Sequence, residues 1–191
     1  MTLETPRLRL EPWDDRGLEL VLRLSAMPEV TRYIGDGATY TREAALAMAE
    51  RQAAHWRVHG WGSYVAFERA TGAAVALISQ NVVGDVTPGL EPWEHEIGWW
   101  VDPAAWGRGY AREGGEALVR AAFGVVGAPA VVARIQPPNA ASLRVAAALG
   151  LSFEFVSTGR VGEAVEVWRR RAGAAGRPGG GGVVPPRSGP R

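Results

Sequence analysis

The sequence predicts a single α/β domain, in which strands and helices alternate, followed by a tail of different composition. The 191 residues suit one ordinary domain, and the 47% hydrophobic content is enough to fill its core. Short β-prone runs alternate with Ala- and Leu-rich segments that are long enough for helices. Residues 172–191 are dominated by Gly, Pro, Ala and Arg, and we expect them to be disordered because they cannot bury enough apolar surface. The predicted domain therefore covers residues 1–171.

The first half of the chain predicts a strand, two helices and a hairpin. Leu8 and Leu10 alternate with charged residues, as in a half-buried strand. The pair Asp14-Asp15 can cap the first helix, and Pro28 ends it. Thr71-Gly72 makes a tight turn between the hairpin strands. The predicted elements are a strand at 8–13, a helix ending at 27, a helix at 42–59, and strands at 63–69 and 73–83.

The second half predicts further strands with two helices between them. Asn139 follows two prolines and is a strong N-cap for the last helix, which closes at Gly150. The run Arg169 to Arg171 is expected to be a solvated end of the last strand. The predicted elements are a strand at 94–101, a helix at 107–123, a strand at 131–135, a helix at 137–150, and strands at 153–157 and 164–170.

Composition excludes several classes of function. The chain has no cysteine, so a disulfide or a thiolate nucleophile is unavailable, and all 21 basic residues are arginines, which excludes lysine Schiff-base chemistry. The net charge of +1 gives no footprint for nucleic acid. No apolar run approaches the roughly 18 residues of a membrane helix, so we expect a cytoplasmic protein with no membrane partner.

The most informative stretch is a glycine-bearing loop between a strand and a helix. An apolar, β-prone run ends at Val101, a turn follows, and Gly107 and Gly109 precede a helix-prone segment. Glycines let backbone N–H groups approach a ligand, and the helix start adds partial positive charge, so the natural guest is a phosphate or pyrophosphate. The loop lacks the lysine of a P-loop, and Arg112 stands where a dinucleotide fingerprint needs a small residue.

This loop resembles the acetyl-coenzyme A loop of the GNAT superfamily of N-acetyltransferases, which is written Gln/Arg-x-x-Gly-x-Gly/Ala. Here it reads Trp106-Gly107-Arg108-Gly109-Tyr110-Ala111, with Trp106 in place of Gln or Arg. With the preceding Ile-Gly-Trp-Trp-Val-Asp-Pro it is similar to the RimJ/RimL-like branch. The order of predicted elements from about residue 7 to 171 also matches this family. The resemblance implies a mixed, mostly antiparallel sheet that is splayed in the middle and flanked by helices on both faces.

The resemblance implies acetyl-CoA as co-substrate and no metal. Backbone amides of the glycine loop would cradle the pyrophosphate, and an arginine there would add a charged contact. The splayed strand before the loop would offer main-chain groups, and Asn139 would contact the cofactor, cap a helix or do both. The expected cofactor-binding residues are Trp99, Trp100, Val101, Gly107, Arg108, Gly109, Tyr110, Ala111, Arg112 and Asn139.

One catalytic role is assigned by the same resemblance. Many GNAT enzymes carry a tyrosine seven residues after the Asn, where this chain has Ala146. The segment Asn139-Ala140-Ala141-Ser142 instead resembles the RimL-like Asn-x-x-Ser, in which the serine hydroxyl is the proposed donor to the departing thiolate. Ser142 is therefore the expected thiolate partner, against the alternative of an ordinary serine in the first turn of a helix.

No residue stands out as a unique general base. Glu96 is the first candidate because it enters the strand that meets the thioester, with Glu94 second and His95 third. His55 and His59 are four residues apart on a helix, but the sequence offers no obvious third ligand, so no metal site is predicted.

These observations predict an N-acetyltransferase that moves an acetyl group directly to a primary amine in a ternary complex, because without cysteine a cysteinyl intermediate is impossible. The acceptor is a protein N-terminus or a small-molecule amine, and the enzyme a monomer or homodimer. A cluster of tryptophans that includes Trp61, Trp99 and Trp100 is suited to wall an acceptor cleft. The alternative is a catalytically weak GNAT-fold module that binds or senses acyl-CoA.

Overall fold

The computed structural model describes residues 1–83 and 88–173. A 3-10 turn at Pro103–Ala105 precedes the fourth helix, and a π-helical turn at Ala122–Val126 extends it. The helices are α1 Asp15–Ser25, α2 Pro28–Thr31, α3 Arg42–His59, α4 Tyr110–Ala121 and α5 Ala140–Ala148. The strands are β1 Leu3–Glu4, β2 Leu8–Pro12, β3 Tyr64–Glu68, β4 Ala74–Val82, β5 His95–Val101, β6 Ala130–Ile135, β7 Ser152–Thr158 and β8 Ala164–Arg171.

The strands of this part of the chain form one sheet in the order β1-β2-β3-β4-β5-β6-β8-β7. Each described pair is antiparallel except β5 with β6, which run parallel. A parallel pair needs a crossover connection, and α4 supplies it. The sheet is therefore mixed and mostly antiparallel, as expected, and it has helices on both faces.

Two apolar cores lie on opposite faces of the sheet. The larger packs Leu8, Ile78 and Ile97 against Leu118 of α4 and Leu149 after α5. The smaller packs residues of α1 and α3 against the other face; its buried members are Leu20, Val21, Leu24, Ala45, Val65, Phe67 and Leu77. Because side chains alternate along a strand, Trp99 of β5 belongs to the α4 face and Trp100 to the α1 face.

The sheet opens between β5 and β6. Along its other edge β5 pairs with β4 over its whole length, from His95 opposite Val82 to Val101 opposite Ala76. With β6 the described pairing is limited to His95 with Val131 and Glu96 with Val132. The strands diverge after these positions, so the backbone from Ile97 to Val101 is paired on one side alone. This is the splay that the family resemblance implied.

Three local predictions differ from the structure. Pro28 does not only end α1 but begins the short helix α2, where a proline at the first position costs no hydrogen bond. Helix α4 begins at Tyr110 rather than at 107, because Gly107 and Gly109 adopt left-handed φ values of 73° and 80°. The short strand β1 was not predicted. The predicted disordered tail lies outside the described residues from position 174 onward.

The expectation that Arg169 is solvated is wrong. Its side chain is 7% exposed, its Nε donates to Glu94 at 2.5 Å, and it also pairs with Glu154. Alternation along β8 turns Arg169 to the face covered by the segment before β5, where Gly89 also accepts from it. Arg171, two residues on, is exposed as predicted. No helix in the described ranges is both long and apolar enough to cross a membrane.

Candidate active site

A cavity of about 700 Å³ lies where β5 and β6 diverge. It reaches from α2 and the loop after it, across the splayed strands, to the glycine loop and α5. It is lined by Glu29, Val30, Arg32, Tyr33, Ile34, Ile97 to Val101, Ala105 to Gly107, Gly109 to Arg112, Ala133, Ile135, Asn139, Ala141, Ser142, Arg144, Val145 and Ala148. A second cavity near Phe123 and Arg170 lies away from the glycine loop.

The glycine loop holds its shape through backbone contacts. The Asp102 N–H donates to Val75 O at 2.9 Å, and the Asp102 carboxylate caps the turn by accepting from Ala104 N–H at 2.9 Å. Gly109 is the N-cap of α4 and has no side chain with which to accept from the first-turn amides. A Cβ at Gly107 would meet nothing within 4 Å, so this backbone faces open space. The loop therefore offers uncapped N–H groups to an anion in the cavity.

The side chains around the glycine loop make different contacts, and not all of them face the cavity. Trp106 donates its indole N–H to Val101 O at 2.8 Å and so covers the end of β5. Arg108 pairs with Glu68 and stacks on the Tyr110 ring, with 4.8 Å between its guanidinium carbon and the ring centroid. Tyr110 also donates to Glu68, and this hydrogen bond raises the pKa of the tyrosine. Arg108 is thus engaged away from the cavity, whereas Arg112 lines it.

Arg144 and α2 are parts of the site that the sequence did not indicate. Arg144 lies two residues after Ser142 on α5, is exposed, and lines the cavity. Arg32 lines the opposite wall with the residues of α2. Nothing in the sequence distinguishes either arginine from an ordinary surface charge, because the positions become adjacent only when the helices pack over the splayed strands.

Ser142 has a defined hydrogen-bonding environment. Its Oγ accepts from the indole N–H of Trp99 at 3.2 Å, and its backbone N–H donates to Asn139 Oδ1 at 3.1 Å. Asn139 is therefore the N-cap of α5, as its position after two prolines predicted. Because Trp99 occupies a lone pair of the hydroxyl, the hydroxyl proton remains to be donated. The sequence assigned main-chain contacts to Trp99 and did not predict this side-chain contact.

Glu96 lies on the face of β5 opposite Ser142. Arg134 of β6 binds it with two nitrogens, Nε at 2.8 Å from Oε1 and a terminal nitrogen at 2.5 Å from Oε2. A terminal nitrogen of Arg160 is 3.6 Å from the same Oε2. The carboxylate is 21% exposed and the Arg134 side chain 8%, so this is a partly buried, bidentate pair.

The other two base candidates are engaged in packing. Glu94 is buried and accepts two bonds from Arg169. The Nδ1 of His95 lies 2.6 Å from Gln80 Nε2, and its ring stacks on Trp61 with centroids 4.3 Å apart. Burial lowers the pKa of His95, and repulsion from the other two histidines adds to this effect.

The three histidines of the chain gather in one aromatic cluster. His55 donates from Nδ1 to Trp61 O over 2.9 Å, and the ring centroids of His55 and His59 are 4.3 Å apart. Trp61 contacts both rings of this pair, with His55 edge-on, and stacks on His95. In the described part of the chain no group of three His, Cys, Asp or Glu side chains is arranged to hold a metal ion.

Comparison with known proteins identifies the family of this fold and site. The model of the acetyltransferase (GNAT) domain family matches residues 7–152. The chain belongs to this GNAT acetyltransferase family. GNAT acetyltransferases use acetyl-CoA. The matched range includes each catalytic and cofactor-binding residue predicted above.

Relatives and solved structures agree with this assignment. An FsC-acetyl coenzyme A-N(2)-transacetylase from Aspergillus fumigatus is 29% identical over 157 residues, which cover 79% of this chain and 65% of that protein. An acetyltransferase structure from Agrobacterium tumefaciens is 28% identical with a TM-score of 0.76, covering 90% of this chain and 94% of the other. A RimL ribosomal L7/L12 alpha-N-protein acetyltransferase in complex with coenzyme A has the same fold, with a TM-score of 0.68 at 17% identity and coverage of 90% and 98%.

Proposed function

We propose that this GNAT protein is an N-acetyltransferase of the RimJ/RimL-like type, which transfers the acetyl group of acetyl-CoA directly to a primary amine. The observation that carries the proposal is the Ser142 hydroxyl, held by Trp99 beside the unpaired edge of β5, in the cavity that the glycine loop also lines. The name of the Aspergillus fumigatus relative, which specifies acetyl-coenzyme A and an N(2) position, supports transfer to nitrogen.

The cavity provides complementary groups for acetyl-CoA along its length. In our proposal the amides of the loop and of the first turn of α4 bind the pyrophosphate, since they are uncapped and at the positive end of a helix. Arg144 and Arg112 supply cationic contacts because both line the cavity and Arg108 does not, although Arg112 also pairs with Glu116 at 2.8 Å. The proposed cofactor-binding residues are Trp99, Trp100, Val101, Gly107, Gly109, Tyr110, Ala111, Arg112, Asn139, Arg108 through its backbone N–H alone and, in addition, Arg144.

Ser142 and Glu96 have different chemical tasks in this proposal. As the amine nitrogen bonds to the thioester carbon and the carbon–sulfur bond breaks, negative charge develops on sulfur. The Ser142 hydroxyl donates to this sulfur while its oxygen continues to accept from Trp99. Glu96 accepts the proton that the amine loses. Arg134 occupies both oxygens of Glu96, so we propose that this proton travels through water rather than by direct contact.

Thiol release from acetyl-CoA across a panel of amines tests the proposed function. The panel contains N-terminal peptides and small amines side by side, and acetyl-CoA binding is measured in parallel by calorimetry. We expect binding and amine-dependent release of one thiol per acetylated amine. The alternative of a sensing module predicts binding without release for every amine, and that result would replace the proposal.

The base assignment is tested with Glu96→Gln and the pH dependence of kcat/KM. We expect the acid limb that comes from Glu96 ionisation to disappear, because only the ionisation of the base itself produces it. Glu50→Gln, at an exposed position on α3, is the matched control and should keep the wild-type profile. If the acid limb is unchanged in Glu96→Gln, the general base is instead His95, Glu94 or a water chain.

A further inference from the structure

We propose that Glu68 is a positioning residue for coenzyme binding. It holds the glycine loop from the side away from the cavity, so that the loop amides are already aimed at the pyrophosphate before acetyl-CoA binds. This inference rests on the role of the loop in the proposed function. Glu68 itself does not line the cavity, so its effect passes through the residues that it holds.

The carboxylate of Glu68 binds the residues on both sides of Gly109. Glu68 is the last residue of β3 and is 8% exposed. Its Oε1 accepts from the Arg108 guanidinium and from the Tyr110 hydroxyl. Its Oε2 accepts from Thr71 Oγ1 at 2.8 Å. Three donors thus fix the carboxylate, and through it the glycine loop is tied to the end of a core strand.

The loop needs such a tie because its own backbone is permissive. Gly107 and Gly109 have φ values of 73° and 80°, in a region that glycine enters without steric cost but also leaves easily. A loop that exchanged between conformations would have to be ordered when an anion binds, and the entropy lost in this ordering weakens binding. Because Glu68 fixes Arg108 and Tyr110, both neighbours of Gly109 are held, and the loop is preorganised.

Tyr110 transmits this tie to the start of α4. It is the first residue of the helix and is 2% exposed, and its backbone N–H belongs to the first turn, where the amides have no intrahelical acceptor. The guanidiniums of Arg7 and Arg108 lie over its ring, at 5.0 Å and 4.8 Å from the centroid. The hydrogen bond to Glu68 raises the pKa of Tyr110, so the hydroxyl keeps the proton that it donates.

A second carboxylate holds the body of α4 independently of Glu68. Glu113 Oε1 accepts from Thr5 Oγ1 at 2.6 Å and from the Arg7 backbone N–H at 2.8 Å, and Oε2 accepts from Arg7 Nε at 2.7 Å. These bonds join the first turn of α4 to the segment between β1 and β2. A change at Glu68 should therefore loosen the loop while the helix remains docked.

Charge and positioning make opposite predictions for Glu68→Gln. The substitution removes a negative charge near an anion site and releases Arg108 from its ion pair. By charge alone, it should strengthen the binding of a pyrophosphate. A positioning role predicts weaker binding instead, because a neutral amide accepts more weakly from Arg108 and Tyr110 than a carboxylate does.

The test compares acetyl-CoA with acetyl-pantetheine, which carries the same thioester but no pyrophosphate. The Kd of acetyl-CoA is measured by calorimetry, and that of acetyl-pantetheine by displacement against acetyl-CoA. We expect Glu68→Gln to raise the Kd of acetyl-CoA by about 10-fold, as for weakened charge-assisted hydrogen bonds, and to change that of acetyl-pantetheine by less than about 2-fold.

Two further variants accompany this measurement. Tyr110→Phe removes one donor to Glu68 and keeps the ring, and it should raise the Kd of acetyl-CoA by a smaller factor, so the inference is tested even if Glu68→Gln does not fold. Glu11→Gln is the matched control on β2, at a carboxylate that is also paired with arginines, and it should change neither Kd.

Unchanged or tighter binding of acetyl-CoA in the folded variants overturns the inference. An equal loss for the two ligands also overturns it, because Glu68 would then support the fold in general. In both cases the proposed function stands, provided that the wild type prefers acetyl-CoA and releases thiol with an amine. A wild type that binds the two ligands equally tightly would instead remove the pyrophosphate role of the glycine loop, and this inference with it.

Discussion

The amino-terminal end of β5, His95 and Glu96, pairs with strands on both sides, whereas Ile97 to Val101 pairs with β4 alone. The paired end is rich in ionisable groups, and each is held by a partner: Arg134 holds Glu96, Gln80 holds His95, and Arg169 holds Glu94 just before the strand. The open end is aromatic and lines the cavity. The seven residues of β5 therefore have two roles: the first two join the neighbouring strands, and the last five line the cavity.

The difference between these ends follows from what each must do with its polar groups. Charges in a closed sheet are stable only when they are paired, so the closed end is fixed by ion pairs that join β5, β6 and β8. At the open end the backbone N–H and C=O groups lack a β6 partner, and apart from Val101 O, which accepts from Trp106, those on the β6 side remain available to a ligand. The closed end thus acts as the fixed point from which the two strands diverge.

Disrupting the ion pairs at the closed end of β5 should have the largest effect on stability. Arg169→Ala leaves the buried carboxylate of Glu94 without the two hydrogen bonds from Arg169, and we expect the free energy of unfolding to fall by roughly 3–5 kcal/mol. Denaturant unfolding measures it. Arg171→Ala, at a side chain that is 67% exposed, is the matched control and should cost under about 1 kcal/mol.

The double variant Glu94→Leu with Arg169→Met distinguishes an unpaired charge from lost packing. It should regain most of the stability that Arg169→Ala loses, since no buried charge remains. If the double variant loses as much free energy of unfolding as Arg169→Ala, the Glu94–Arg169 pair stabilises the fold through its specific contacts and not only because the two charges neutralise each other.

Changes at the open end should affect turnover rather than stability. Ser142→Ala removes the donor to the departing sulfur, and we expect kcat to fall by about 10²-fold or somewhat less while the Kd of acetyl-CoA barely changes. Trp99→Phe removes the indole N–H that orients Ser142, and should cost a smaller factor in kcat. Ser152→Ala, at an exposed position on β7, is the control.

Coupling between the two residues is the sharper measurement. In a double-mutant cycle Trp99→Phe should have little further effect once Ser142 is Ala, because its hydrogen-bond partner is gone. Independent, additive effects would show that Trp99 acts through packing alone. Near-wild-type turnover of Ser142→Ala would return the serine to an ordinary helix-start role.

The glycine loop should show a moderate effect on binding. Gly109→Val places a β-branched side chain at φ 80° at the N-cap of α4, and we expect acetyl-CoA to bind at least several-fold more weakly. Gly72→Val, at φ 74° in a turn with nothing within 4 Å, introduces similar backbone strain far from the cavity. Calorimetry that shows equal affinities for the two variants would contradict a role for the loop in cofactor binding.

The smallest expected effect is the pH dependence of the histidine cluster at the closed end. Burial holds the pKa values of His55 and His95 below the ordinary 6.5, so below about that pH the unfolded chain binds protons that the folded chain does not. The free energy of unfolding should therefore fall as the pH falls through this range. The Tm is measured at about pH 7.5 and pH 5.5 for the wild type and for the double variant His55→Gln with His95→Gln. The difference between the two drops in Tm gives the contribution of these histidines. An equal drop in both would assign the effect to other groups.

The sequence predicted the order of the main elements because each carries its own local signal. Alternation marks β2, Ala-rich composition marks α3, and glycines mark the start of α4. The splay has no such signal: Ile97 to Val101 and Ala133 to Ile135 are as β-prone as the paired residues before them. It was predicted only through the family resemblance, since divergence depends on how the two strands pack.

The contents of the site were predictable where they depend on backbone and unpredictable where they depend on distant side chains. The cap at Asn139 and the left-handed glycines follow from local rules. The contact between Trp99 and Ser142 joins residues 43 positions apart, and a run of three arginines gives no sign that Arg169 alone is buried. Long-range pairing of this kind is decided by the tertiary fold.

The gap in the sheet has a consequence for inhibition. It connects a wall that contains Ser142 with one that contains Trp100, so under the proposed function we infer that the two substrates approach from opposite faces. The two substrates therefore do not compete for one binding surface, and we expect an acceptor analogue to be a noncompetitive inhibitor with respect to acetyl-CoA. A single molecule that joined both substrates would have to thread one of its ends through the sheet. We expect such a compound to bind slowly and to dissociate slowly.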